Sequence, residues 1–128
     1  DGVNVSSRLE SANKLYGTHI LISGSTREEI KDRFVTRLID HVVVKGRSRP
    51  IRIHEVLCER GETPVRDVEP FRRGLDCYRA RAFDEALRHF ETGGAFDPAC
   101  RPFIDRCRVF LEEPPPPDWD GVWRWGEK

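Results

Sequence analysis

The sequence has no methionine and no excess charge of either sign: 22 lysines and arginines are balanced by 22 aspartates and glutamates over 128 residues. A protein that grips nucleic acid through phosphates shows a basic excess or a basic stripe. The even balance argues against that class, and no nucleic-acid partner is expected. No apolar run approaches the roughly 20 residues that a membrane-spanning helix needs, and the N-terminus has no signal-peptide pattern. Cys58, Cys77, Cys100 and Cys107 form no C-x-x-C pair, and His19, His41, His54 and His89 lack metal-ligand spacing. These absences argue against a locally built zinc site. They fit reduced, partly buried thiols in a cytosolic protein. What remains is 38% apolar and 34% charged residues. That composition suits a soluble globular chain with a modest core, enough for one small domain or one and a half.

The pattern along the chain divides it into three: 1–60, 61–112 and 113–128. In the first part, Val5, Leu9, Ala12 and Tyr16 fall at helical spacing, and Gly17 ends that helix. His19-Ile20-Leu21-Ile22-Ser23 reads as a short strand buried on both faces. Ser25-Thr26-Arg27-Glu28 fits a capping box that opens a short helix to about Arg33. Phe34 to Lys45 is β-branched and reads as one long or two short strands. Gly46 to Pro50 is a turn, and Ile51 to Val56 alternates as a last strand whose faces are only partly sorted by polarity. The order helix, strand, helix, strand, strand, closing on a hairpin, predicts an α+β layer rather than a doubly wound sheet.

From Val65 the period becomes helical. Phe71, Leu75 and Tyr78 mark one helix. Ala86, Leu87 and Phe90 mark a second, and Phe103, Ile104, Cys107 and Leu111 a third. Gly93-Gly94 weakens the end of the second. Pro114 to Pro117 reads as a stiff polyproline spacer. Trp119, Trp123 and Trp125 crowd the end, and three indoles are too apolar to stay in water. The tail is therefore expected to dock, on its own chain rather than on a partner.

Asn4 and Arg8 are four apart on the first helix, one turn apart on the same side. A carboxamide can orient a sugar oxygen, and a guanidinium can neutralise a charged phosphoryl oxygen. Taken alone, such a pair on a helix face is ordinary solvated surface. Lys45 ends a β-branched strand at the tip of the hairpin, where an ammonium can reach a polyphosphate. Taken alone, it is an exposed hairpin lysine.

The surrounding residues change this reading. Asp1-Gly2-Val3-Asn4-Val5-Ser6-Ser7-Arg8-Leu9-Glu10, continuing to Gly17, resembles a helix of the class III nucleotidyl cyclase catalytic domain. It carries that family's V-N-x-x-S-R pattern, with Ser6 where Ala is frequent. Val44-Lys45-Gly46-Arg47 with Pro50-Ile51-Arg52-Ile53 resembles the family's V-K-G-K segment and final strand. The resemblance covers about residues 1–58. It implies the C-terminal part of a ferredoxin-like cyclase domain, in which Asn4 positions the ribose and Arg8 stabilises the charged α-phosphate. Lys45 contacts the terminal phosphates. The helical segment is similar to a tetratricopeptide repeat, with Gly74, Tyr78, Phe83, Ala86, Phe90 and Pro98 at its spacing and departures at Arg73, Cys77 and Gly93. A single such unit must pack on something else.

The implied reaction converts ATP, less readily GTP, to a 3′,5′-cyclic nucleotide and pyrophosphate. It uses Mg²⁺ or Mn²⁺ and a head-to-tail homodimer in which Arg8 acts across the interface. The family's metal-binding aspartates and base-reading residues lie upstream of its matching helix. The chain begins within the motif, without Met, and is therefore expected to be a fragment, inactive alone, from the cytoplasmic side of a membrane-anchored protein. The alternative is a non-catalytic, cyclase-like dimerisation module whose helical segment binds a protein partner.

Overall fold

The computed structural model describes residues 2–44 and 48–125, with side chains described from residue 9 onward within those ranges. The fold is α+β. A four-stranded sheet and, among the described residues, five helices divide into two units, Asp1–Val65 with Val122–Lys128, and Arg66–Gly121.

In the sheet unit, helix α1 (Gly2–Tyr16) buries Leu9, Ala12 and Tyr16, the described part of the stripe expected for it. Gly17 ends it at φ 65°, a left-handed conformation that favours glycine. The amide of Thr18 then donates to the carbonyl of Asn13 at 3.0 Å, satisfying a carbonyl of the last turn. Strand β1 (Leu21–Ser23) pairs antiparallel with β3 (Ile51–Glu59), which pairs antiparallel with β2 (Phe34–Val43). The sheet order is β1-β3-β2-β4, where β4 is Trp123–Arg124.

Two details correct the sequence reading. The strand at 19–23 is not buried on both faces. It is a three-residue edge strand in which Leu21 alone is fully buried, and Ile20, just before it, is 54% exposed. Helix α2 (Gly24–Ile30) begins earlier than the capping box placed it, since Ser23 is its N-cap and accepts from the amide of Thr26 at 3.3 Å.

The β2–β3 ladder slips between Leu38 and Asp40, where Ile39 is the extra residue. Such a bulge shifts the side-chain alternation by one. It leaves Arg37, opposite Glu55, and Asp40, opposite Ile53, on the same face of the sheet. That face is buried: Arg37, Asp40, Val42, Ile53 and Glu55 are each under a tenth exposed. The incomplete sorting of polarity in 51–56 has its cause here. Glu55 shares the apolar face because Arg37 meets it, with Nε and NH2 each 2.8 Å from Oε1.

The helical unit contains α3 (Glu69–Arg79), α4 (Phe83–Gly93) and α5 (Cys100–Glu112). Its core is aromatic. Phe103 packs against Phe71, Phe90 and Tyr78 with ring centroids 5.1–5.4 Å apart. Each such ring contributes about 1.5–3 kcal/mol through burial. Gly74 lies under the ring of Phe90, where a Cβ would come within 2.7 Å, and Gly93 leaves room for the Cys100 sulfur. These two glycines therefore let α3, α4 and α5 approach. Leu111, expected in the core of α5, is 48% exposed instead.

The polyproline stretch is not a free spacer. Arg81, at φ 67° in the turn between α3 and α4, donates to the carbonyls of Pro115 and Pro116 at 2.8 Å. Trp119 then packs on Tyr78, Phe83 and Phe110. Cys107 is buried, and burial pushes its thiol up to about 12, so it is a packing residue and not a nucleophile.

Candidate active site

Asn4 and Arg8 lie on α1, one turn apart along the helix. Their side chains lie outside the described residues, as does Lys45 with the turn that follows it. The elements that carry these landmarks are described. Val42, Val43 and Val44, which lead directly into Lys45, are all buried. Their burial fixes the end of β2.

One polar joint ties α1 to this strand. The Tyr16 hydroxyl donates to Oδ2 of Asp40 at 2.6 Å, with Tyr16 fully buried and Asp40 1% exposed. The other oxygen of Asp40 accepts from the amide of His41 at 2.8 Å. A buried carboxylate needs such donors to offset its lost hydration. The bulge at Ile39 is what turns Asp40 toward the helix.

A third element completes the joint. Strand β4 adds parallel to β2, with Trp123 opposite Val42 and Arg124 opposite Val43. The amide of Trp125 donates to the carbonyl of Val43 at 3.0 Å, and its indole N–H donates to the Tyr16 hydroxyl at 3.1 Å. The two rings stand 6.4 Å apart. The hydroxyl of Tyr16 thus accepts from the tail and donates to the sheet.

Sequence reasoning missed these residues. It counted Tyr16 as one member of an apolar stripe. Asp40 had a visible signal, an acidic residue in a β-branched stretch between Leu38-Ile39 and Val42-Val43-Val44. Nothing in the sequence announced that Trp125 would be its indirect partner, 109 residues from Tyr16.

On the opposite face of the sheet, Nε of Arg27 donates to Oγ1 of Thr36 at 3.4 Å. His54 shares that face. Its burial, followed by the cations Arg27 and Arg52, holds it below the ordinary histidine range.

Among the described residues, no group of three His, Cys, Asp or Glu could hold a metal ion. No helix among them is long and apolar enough to cross a membrane. The helical unit has an open depression of about 370 Å³ lined by Asp67, Glu69, Pro70, Arg73, His89 and Thr92.

Comparison with known proteins bears on the first unit and beyond it. The chain is 37% identical over 117 residues to an adenylate cyclase of Dictyostelium discoideum described as terminal-differentiation specific, a match that takes in 84% of this chain and 6% of that protein. It is 46% identical over 57 residues to adenylate cyclase 1 of Rhizobium meliloti, covering 44% of this chain and 9% of that one. It is also 46% identical over 59 residues to an adenylate cyclase of Anabaena cylindrica, covering 44% and 12%. The chain is thus related to proteins named adenylate cyclases and spans no more than 12% of the length of any of these three. No family model matches it, and no solved structure matches it significantly.

The longest match has a structural consequence. At 84% of the chain it cannot stop short of the helical unit, which begins at Arg66. The match to the Dictyostelium protein therefore takes in residues of both units, whereas the two shorter matches are each of a length that one unit accommodates.

Proposed function

We propose that this chain is the later part of a class III nucleotidyl cyclase catalytic domain that converts ATP, in preference to GTP, to the 3′,5′-cyclic nucleotide. The observation that carries the reading is the 37% identity to a named adenylate cyclase across 84% of the chain. The ordered pair of segments around Asn4 and Arg8 and around Lys45 supports it.

In this reading the 3′-oxygen of the nucleotide attacks the α-phosphorus. The bond from that phosphorus to the bridging oxygen breaks, pyrophosphate leaves, and the hydroxyl proton passes to solvent or a base. Asn4 orients the ribose. Arg8, on the next turn, meets the negative charge that grows on the α-phosphoryl oxygens. Lys45 holds the terminal phosphates as a point charge. Mg²⁺ or Mn²⁺, held by residues outside this stretch, would acidify the attacking hydroxyl and neutralise the phosphates. Arg8 serves the site of a second copy in a head-to-tail homodimer, in the manner of an arginine supplied in trans. The helical segment, in its likeness to a tetratricopeptide repeat, is a docking or packing element beside this chemistry. The whole protein works on the cytoplasmic side of a membrane, and the 128 residues alone are inactive.

The test is Arg8→Ala in the longest native chain that carries this segment, assayed for cyclic nucleotide production. A contact made mainly in the transition state lowers kcat more than it raises KM. The expected loss in kcat is roughly a hundred- to a thousandfold. Lys45→Ala should instead raise KM for the triphosphate. Unchanged kcat in the arginine variant would overturn the assignment.

A further inference from the structure

We propose that the returning segment Val122–Trp125 is a clamp that sets the position of α1 against the end of β2, with Trp125 and Tyr16 as its positioning residues. The clamp itself stands on the structure. Its catalytic use rests on the reading of Asn4 and Arg8 given above.

Strand β4 pairs with only two residues of β2, Val42 and Val43. Backbone pairing that short contributes little by itself. Its last residue adds side-chain contacts of fixed geometry to that pairing. Trp125 makes a main-chain bond to Val43, an indole bond to the Tyr16 hydroxyl, and ring contact with Tyr16. Tyr16 passes the connection to Asp40 on β2. Three elements from the start, middle and end of the chain meet at one buried hydroxyl.

The joint sits at the C-terminal end of α1, and Arg8 lies eight residues away along a rigid rod, about 12 Å at 1.5 Å per residue. A tilt of about 5° at Tyr16 displaces Arg8 by about 1 Å. Displacements of that size can cost on the order of a hundredfold where a transition state must be met. The same clamp holds Val42 and Val43, three and two residues before Lys45. The segment thus braces both landmark elements at once, without any side chain of its own needing to touch nucleotide.

The experiment uses the longest native chain and two readouts, steady-state kinetics and amide hydrogen exchange. Trp125→Phe keeps most of the ring and removes the N–H, so the fold is retained. It should lower kcat about threefold, and Trp125→Ala at least about tenfold, with KM for the nucleotide within about twofold of the native value. Tyr16→Phe removes the same indole bond and also the bond to Asp40, so it should lower kcat at least as much as Trp125→Phe, and adding Trp125→Phe to it should cost little more, because the indole bond is already gone. Exchange should quicken in α1 of Trp125→Ala and not in α2. Native kcat in Trp125→Ala, or independent losses that multiply in the double variant, would overturn the positioning role. If Arg8→Ala retains full kcat, the functional reading falls separately. Exchange in α1 then decides the clamp alone, with quickened exchange supporting it and unchanged exchange refuting it.

Discussion

The two units hold themselves together by different means. The helical unit is built on aromatic rings that touch one another, Phe71, Phe90, Phe103, Tyr78, Phe83 and Phe110, with Trp119 added from the tail. The sheet unit packs aliphatic side chains and buries charged and polar groups among them, the Arg37–Glu55 pair and the Tyr16–Asp40 bond. Such rings supply stability through the large apolar area each one buries. Buried polar joints contribute less net stability, and they allow one arrangement only. The helical unit buries Asp97 and Arg106 as well, so the contrast is one of degree: in the sheet unit the buried polar bonds join separate elements, α1 to β2 and β2 to β3.

The largest effect that sharpens this contrast is expected from Phe103→Ala. Phe103 is fully buried and touches three other rings. Its truncation should destabilise the helical unit by about 4 kcal/mol, the transfer loss plus a cavity. Denaturation followed by helical circular dichroism should show the loss, while exchange protection of β2 and β3 stays near native. Equal loss in both units would break the comparison.

Next in size is the buried ion pair. Arg37→Met removes the guanidinium beside Glu55 and should cost about 3 kcal/mol, because a charge is left behind in a dry site. Arg37→Met with Glu55→Leu should recover most of that, to within about 1 kcal/mol of the native chain. A double-variant cycle in chemical denaturation measures the coupling. Independent, additive losses would show that the pair is not the unit of stability.

How much of this was legible beforehand differs between the units for physical reasons. The helices of the second unit follow from the spacing of Phe71, Leu75 and Tyr78 and of Phe103 and Cys107, since one helix face is a local property of sequence. The strands at 34–43 and 51–59 follow from β-branching and alternation. The bulge at Ile39 does not, because it depends on the partner strand and carries no residue signature here. The edge exposure of β1 likewise depends on how many neighbours a strand has. Asn4, Arg8 and Lys45 rest on motif alone. Tyr16, Asp40 and Trp125 were missed because their contact spans nearly the whole chain, and a tyrosine at an apolar helix position looks the same with or without a bond to its hydroxyl. The tail was expected to dock. That Trp119 joins the helical unit while Trp125 joins the sheet unit follows only from the fold.

The smallest expected effect concerns protons rather than packing. His54 is half-buried on the sheet face where Arg27 and Arg52 also lie, and burial followed by these two cations holds it below its ordinary value, with Glu28 opposing weakly. In the unfolded chain the same imidazole takes up a proton more readily. The unfolded state therefore gains protons first as the pH drops, and stability that is fully present above the ordinary histidine value near 6.5 declines below it. The helical unit should not contribute to this slope through His54. Denaturation midpoints of the native chain and of His54→Gln, compared at pH 7.5 and at pH 5, isolate the contribution by subtraction. The variant should lose less stability on acidification than the native chain. An identical loss in both would mean that the face opposite α1 is wet enough to protonate His54 freely, and that the sheet unit buries its polar groups on one side only.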